Sequence, residues 1–334
     1  MRRKGSQRAI GLSDDWRAWI VDNLLDNVST HSLLSALIGG GVPRHVAERE
    51  IRAIASSPSL AACASLRRRA RDAERVLDLY KALDTQQRSP IERRTKPSAD
   101  EFFSRYFDRN VPVVFTNFTA DWPARAWTPA GLAERLGSAE MGVVRGREGD
   151  GEYDRNPALR TTMPAQDYIA EVLARSPTND LYSVANNRNM AREPFLSLLD
   201  DVVVDPSYFV PEEVRLAGTS FWLGPAGTVT PFHHDTTNIL FSQLFGRKRF
   251  VLAAPFERTL LGSSRAPFYS DRDPEQDPAA LADVRLHTVD LAPGESLFLP
   301  VGYWHQVRAL DVSISFSLLC FRRPNRFEAY TPGV

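Results

Sequence analysis

From about Thr219 onward the chain breaks into eight short segments rich in β-forming residues, punctuated by Gly and Pro: 219–223, 229–236, 238–245, 248–253, 286–290, 296–299, 305–309 and 312–320. Many short strands separated by turn signals predict a β-barrel or sandwich. Strand character begins earlier, at Val111–Asn117, Ala139–Gly146 and Asp180–Ala185, with helices expected from Pro129 to Gly137 and from about Pro164 to Ala174. No internal repeat or low-complexity tract interrupts this pattern.

The first 85 residues read differently. Ser13 and Thr30 are placed to cap two helices, Gly39-Gly40-Gly41 stops the second, and Pro43 suits the opening of a third. A longer helix then puts Leu66, Ala70, Ala73, Leu77 and Tyr80 on one stripe, with Arg67, Arg68, Arg71 and Arg75 opposite. The arginine run is expected to be a solvated face. Residues 86–97 are polar with two prolines and read as a linker, and Ser98 heads a capping box with Glu101. We therefore expect an N-terminal helical domain with its linker over 1–97 and a mainly β domain over 98–334.

Two histidines and a carboxylate stand out in the β-rich half. His233 and Asp235 are two apart, so they share one face of a strand, while His234 points to the other side. His305 opens a later strand that a barrel can bring alongside the first. Two histidines and one carboxylate on one side of a metal, with the other side open, form the facial triad of non-haem Fe(II) oxygenases. No cysteine lies nearby, which argues against structural zinc.

Lysine is rare here. Of 41 basic residues only Lys4, Lys81, Lys96 and Lys248 are lysines. Lys248 lies between two arginines in Gly-Arg-Lys-Arg-Phe. An ammonium on a long stem reaches into a narrow pocket and meets one carboxylate, so Lys248 is read as a buried anion anchor. Thr230 precedes His233 by three residues, so its side chain reaches the same pocket only through a local twist or bulge.

These segments resemble a known family. Trp222-Leu-Gly-Pro-Ala-Gly-Thr-Val-Thr-Pro-Phe-His-His-Asp235, Gln243-Leu-Phe-Gly-Arg-Lys248 and Leu297-Phe-Leu-Pro-Val-Gly-Tyr-Trp-His-Gln-Val-Arg-Ala-Leu-Asp311 are similar to the JmjC/cupin-like Fe(II)- and 2-oxoglutarate-dependent oxygenases. Within them the hydroxylase branch that includes factor inhibiting HIF is the nearest in pattern. Val111–Asn117 and Asp121-Trp-Pro-Ala resemble that branch too, and the likeness covers about 100–321. It implies a mainly β fold, a double-stranded β-helix (jelly-roll or cupin) core with flanking helices. It implies His233, Asp235 and His305 on Fe(II), and Lys248 on the distal carboxylate of 2-oxoglutarate with help from Thr230. Tyr182 and Asn238 are the further cosubstrate-binding candidates by this likeness, and O2 is the second cosubstrate. Ser317 and Leu319 stand where relatives can carry Asn and Trp.

The expected activity is hydroxylation of an unactivated C–H bond, on an amino-acid side chain of a protein or peptide. A small-molecule hydroxylase, an N-methyl demethylase and a non-catalytic cupin-like binding protein remain alternatives, and the helical segment is a possible homodimer module. Net charge is zero, which gives no reason to expect nucleic acid, and no apolar run is long enough to cross a membrane. No apolar stretch follows the basic start at Met1–Ser6, and the two distant cysteines, Cys63 and Cys320, favour a reducing cytoplasm. Arg145 and Arg147 are candidates for a substrate entrance, and 256–285 for a lid.

Overall fold

A computed structural model describes residues 12–87, 90–175, 177–216, 218–263 and 268–327. Contacts divide the chain into two compact units, Met1–Asp84 and Thr85–Val334. The basic start at Met1–Ser6 lies outside the described residues.

The first unit is helical: α1 (Asp14–Leu25), α2 (Thr30–Gly39), α3 (Arg44–Ala55) and α4 (Pro58–Gln87). Ser13 caps α1 by accepting from the Trp16 N–H. The cap of α2 is Ser29, one residue before the expected Thr30. Ile20, Leu33, Leu37, Ala47 and Ile51 form the buried centre of this unit. The apolar stripe on α4 does not join it: Leu66 and Tyr80 are 58% and 55% exposed. Arg67 and Arg71 instead meet Asp26 just after α1. The arginine face of α4 is thus partly paired rather than wholly solvated.

The second unit begins inside the stretch expected as linker. There β1 (Glu92–Arg94) pairs in parallel with β2 (Val113–Phe115), while residues 88 and 89 lie outside the described residues. Between them α5 (Ala99–Phe102), capped by Ser98, continues as one π-helical turn over Phe103–Phe107. Then come α6 (Pro129–Leu136), β3 (Glu140–Arg145), β4 (Arg160–Pro164), α7 (Ala165–Ala174), β5 (Leu181–Tyr182) and α8 (Pro211–Leu216). The remaining strands are β6 (Thr219–Gly224), β7 (Val229–His233), β8 (Ile239–Phe245), β9 (Lys248–Ala253), β10 (His287–Leu291), β11 (Ser296–Leu299), β12 (Trp304–Ala309) and β13 (Ser313–Leu318).

These strands make a double-stranded β-helix with flanking helices. One sheet runs β1-β2-β11-β8-β13-β6 and the other β10-β9-β12-β7, while β4-β3-β5 form a small third sheet. Strand alternation sorts the apolar residues onto two faces. Val114, Phe241, Phe250, Leu252, Leu291, Leu297 and Val307, drawn from both large sheets, pack together inside. Val113, Phe115, Leu240, Phe298 and Phe316 face the other way, into a cluster with Phe102, Leu132 and Ile169 of the flanking helices. At about 25 cal/mol per Å² of apolar surface, each fully buried Phe or Leu contributes about 2 kcal/mol toward this arrangement.

Candidate active site

A cavity of about 300 Å³ runs between the two large sheets. Its walls follow strand parity: Ser220 and Trp222 from β6, Ile239 and Phe241 from β8, Lys248 and Phe250 from β9, His305 and Val307 from β12. Residues two apart share a face, so a single register commits both members of each pair to the interior.

Strand β7 is the exception. Thr230 and His233 both line the cavity although they are three apart. Pairing with β12 explains this. His305 lies opposite His233 and Val307 opposite Thr230, so β7 holds one extra residue between the two pairs. That β-bulge restores Thr230 to the inner face. Pro231, which has no N–H to lose from the ladder, sits within the bulge.

Among the described residues, His233, Asp235 and His305 form the cluster able to hold a metal ion, with one ligand atom from each lying within 4.8 Å of the others. His305 Nε2 stands 3.5 Å from an Asp235 carboxylate oxygen. Backbone carbonyls fix both imidazoles. His233 Nδ1 is 2.8 Å from the Pro231 oxygen, and His305 Nδ1 is 3.0 Å from the Tyr303 oxygen. A carbonyl only accepts, so each Nδ1 carries the hydrogen and each Nε2 keeps its lone pair for a metal. Burial, reinforced by the neighbouring His233, holds the His305 pKa well below the usual histidine value, so this ring is neutral. These donors suit a divalent ion of the Fe(II) type. His234 turns away and packs edge-on to Trp304 and Phe268.

The far end of the cavity is built around Lys248. Its side chain is 1% exposed, and Nζ donates to the Tyr182 hydroxyl at 2.8 Å. No carboxylate among the described residues pairs with it, and burial pushes its pKa down to about 7. An ammonium has three hydrogens to donate, so a buried one with a single phenol partner is suited to an incoming anion. Ser317 adds a buried hydroxyl without a partner in the same cavity. The residues present therefore fit a small dicarboxylate lying between Lys248 and the metal ligands. His305 pairs with Leu252, four residues along β9 from Lys248, or about 13 Å of strand.

Two glycines make room at this end. A Cβ on Gly224 would come within 2.5 Å of the Tyr182 ring. Gly246, at φ +65°, turns the chain from β8 into β9 just before Lys248, and a Cβ there would strike the Val312 carbonyl.

Asn238 stands apart from the other candidates. It is buried but does not line the cavity. Its Oδ1 accepts from the Val301 N–H and its Nδ2 donates to Asn325 Oδ1. The residue begins the run into β8 and faces outward, where it ties that strand to two loops. Arg145 and Arg147 also differ from their expected place at an entrance. Arg145 pairs with Glu171. Arg147 is 1% exposed, sits 5.1 Å from the Tyr182 ring centroid and 4.5 Å from that of Tyr153, and donates to the Val229 carbonyl at 2.7 Å. It supports Tyr182 and the start of β7 from behind.

Two further cavity residues were not singled out from sequence. Tyr269, in the segment expected as a lid, bridges to His233 and stacks on its ring with centroids 5.7 Å apart. Its hydroxyl donates to Asp154, which also lines the cavity. Nothing in local sequence ties Tyr269 to His233. Residues 264–267 of that segment lie outside the described residues.

The cupin-like domain family matches residues 99–319, which is most of the second unit. The chain belongs to the cupin-like JmjC family. It is 28% identical over 237 residues to Jumonji C domain-containing protein 5 of Drosophila melanogaster, covering 66% of this chain and 57% of that protein. It is 29% identical to Lysine-specific demethylase JMJ30 of Arabidopsis thaliana over 68% of this chain and 54% of the relative. JmjC domain-containing protein A of Dictyostelium discoideum is 30% identical over 65% of this chain and 90% of its own length. The chain thus spans little more than half of the first two relatives. Among the described residues no helix is long and apolar enough to cross a membrane.

Proposed function

We propose that this JmjC protein is an Fe(II)- and 2-oxoglutarate-dependent oxygenase that hydroxylates an unactivated C–H bond on an amino-acid side chain of a protein or peptide. The observation that carries this reading is the pairing of two features in one cavity: a His-Asp-His cluster near the mouth and a buried, carboxylate-free lysine at the other end. Fe(II) held by His233, Asp235 and His305, together with 2-oxoglutarate, would supply the oxidative decarboxylation that activates O2. Lys248 binds the distal carboxylate of the cosubstrate as a charged donor. Tyr182 and Thr230 add neutral donors and fix its direction. The carbonyls of Pro231 and Tyr303 hold the two imidazoles in the ligating tautomer. The apolar walls, Phe241, Phe250, Leu299 and Val307, exclude water around the cosubstrate.

In this reading residues 98–334 carry the chemistry with β1 of the preceding linker completing their sheet, and the helices ahead of that linker form a separate module that can pair two copies of the chain. Cys63 and Cys320 are both free, which fits a reducing compartment such as the cytoplasm. N-methyl demethylation is the second reading, favoured by the name of the Arabidopsis relative. It would use the same cavity.

The test is metal and cosubstrate binding by the purified chain, followed by mass spectrometry of host peptides after incubation with Fe(II), 2-oxoglutarate and O2. A gain of one oxygen with succinate release is expected from the wild type and not from Asp235→Ala. Formaldehyde release with loss of a methyl group would replace hydroxylation by demethylation. A chain that binds neither iron nor 2-oxoglutarate would sink both readings.

A further inference from the structure

A second groove, of about 710 Å³, adjoins the cavity: Ala185 and Ser220 line both. Strand direction tells which end it meets. β6 runs from Thr219 to Gly224, and β7 returns from Val229 to His233. Ser220 therefore lies at the same end of the barrel as His233, opposite Lys248. The groove therefore meets the cavity toward its metal-ligand end.

Its charge is one-sided. Arg160, Arg188 and Arg215 line it, and among the described residues no acidic one does. This occurs in a chain whose acidic and basic residues are equal in number. Arg215 pairs with Asp200 at 2.7 Å, an exposed contact that leaves donors available. Arg160 and Arg188 have no carboxylate partner among the described residues. Leu216, 81% exposed, adds an apolar contact on the same wall.

Arg188 is also held in an unusual way. Its backbone is left-handed, with φ +53° and ψ 35°, a conformation that favours Gly, Asn or Asp over arginine. The residues on both sides are anchored. Asn187 accepts from the Val184 N–H, and Asn189 exchanges hydrogen bonds with the Gly142 backbone and donates to Ser183 Oγ. The guanidinium thus projects from a rigid support rather than a loose loop.

We propose that this groove binds an acidic stretch of the peptide substrate, through Arg160, Arg188 and Arg215, and so delivers the neighbouring side chain to the cavity mouth. The inference rests on reading the cavity as an oxygenase site, and it adds the substrate class. Carboxylates on an extended peptide meet planar guanidinium groups in bidentate fashion. Neither the cosubstrate end nor the metal cluster supplies such contacts.

The test is fluorescence anisotropy with three probes of similar length: a labelled peptide with a central run of glutamates, its glutamine analogue, and a single-stranded RNA. The full chain should bind the glutamate peptide and not the glutamine analogue. Arg160→Glu/Arg188→Glu should weaken that binding by about tenfold or more. Arg188→Gly removes the guanidinium while relaxing the backbone, so its loss of binding cannot be blamed on misfolding. Equal binding of the glutamine analogue, unchanged binding by the charge-reversed variant, or tighter binding of RNA through the same arginines would overturn the proposal. Asp235→Ala separates the two readings. It should lose metal yet keep the glutamate peptide. A wild-type chain that binds the peptide through the arginines but holds neither iron nor 2-oxoglutarate would end the oxygenase reading and leave the groove standing.

Discussion

The two ends of the cavity are built on different terms. The Lys248 end is sealed: Lys248, Tyr182 and the supporting Arg147 are each almost wholly buried. Lys248 comes from β9 and Tyr182 from β5, and Arg147 backs them from the turn that follows β3. At the mouth the two histidines sit on strands, but the groups around them, Asp154, Tyr269 and Ala185, lie outside the long strands. A sealed end can recognise a ligand that never changes, with a charge made strong by exclusion of water. An open end built from loops can differ from one relative to another without disturbing the barrel. The cosubstrate belongs at the first and the substrate at the second.

That contrast can be broken in graded steps. Lys248→Met should hurt most. Losing a charged, buried hydrogen-bond donor costs about 2–3 kcal/mol, so the Kd for 2-oxoglutarate should rise by about 100-fold. Calorimetry with Mn(II) in place of Fe(II) would read this, and metal affinity should stay as it was. If 2-oxoglutarate affinity stayed within about twofold, Lys248 would not be the anchor.

The pH dependence sharpens the same point. Lys248 titrates near 7 in the free protein. A bound carboxylate favours the ammonium, so binding above pH 7 requires proton uptake. Between pH 7 and pH 8 the charged fraction falls from about one half to about one eleventh, and the apparent Kd should rise about fivefold. Below pH 7 the affinity should level off. In Lys248→Met this slope should vanish.

Tyr182→Phe removes one neutral hydroxyl and keeps the ring over Arg147. A threefold to tenfold rise in Kd for 2-oxoglutarate is expected, from about 1 kcal/mol per neutral hydrogen bond. Tyr269→Phe should have the smallest effect at the sealed end. It breaks only the bond to Asp154, so 2-oxoglutarate affinity should change by less than about twofold, while KM for peptide substrate changes. An equal loss at both ends would erase the distinction between them.

Much of the site was legible because strand geometry is periodic. His233 and Asp235 share a face while His234 does not, and the scarcity of lysine drew attention to Lys248. The place of Asn238 was not legible, because proximity to the His-X-Asp segment does not fix which way a side chain faces at a strand entrance. Arg147 was misread because a basic residue beside Gly146 resembles any surface loop, and nothing local announces the Tyr153 and Tyr182 rings on either side of it. The linker reading missed β1, whose partner β2 lies about twenty residues away.

The sequence by itself determined the β-rich barrel, the three candidate metal ligands and the lysine, since period-two alternation and residue chemistry are local properties. Tertiary structure decided what those residues face. The bulge in β7 exists only through its pairing with β12, and it alone brings Thr230 onto the inner face with His233. Burial of Lys248, support of Tyr182 by Arg147 and the place of Tyr269 against His233 all join segments far apart in the chain. Such contacts depend on how the sheets close on each other, and no local pattern records that closure.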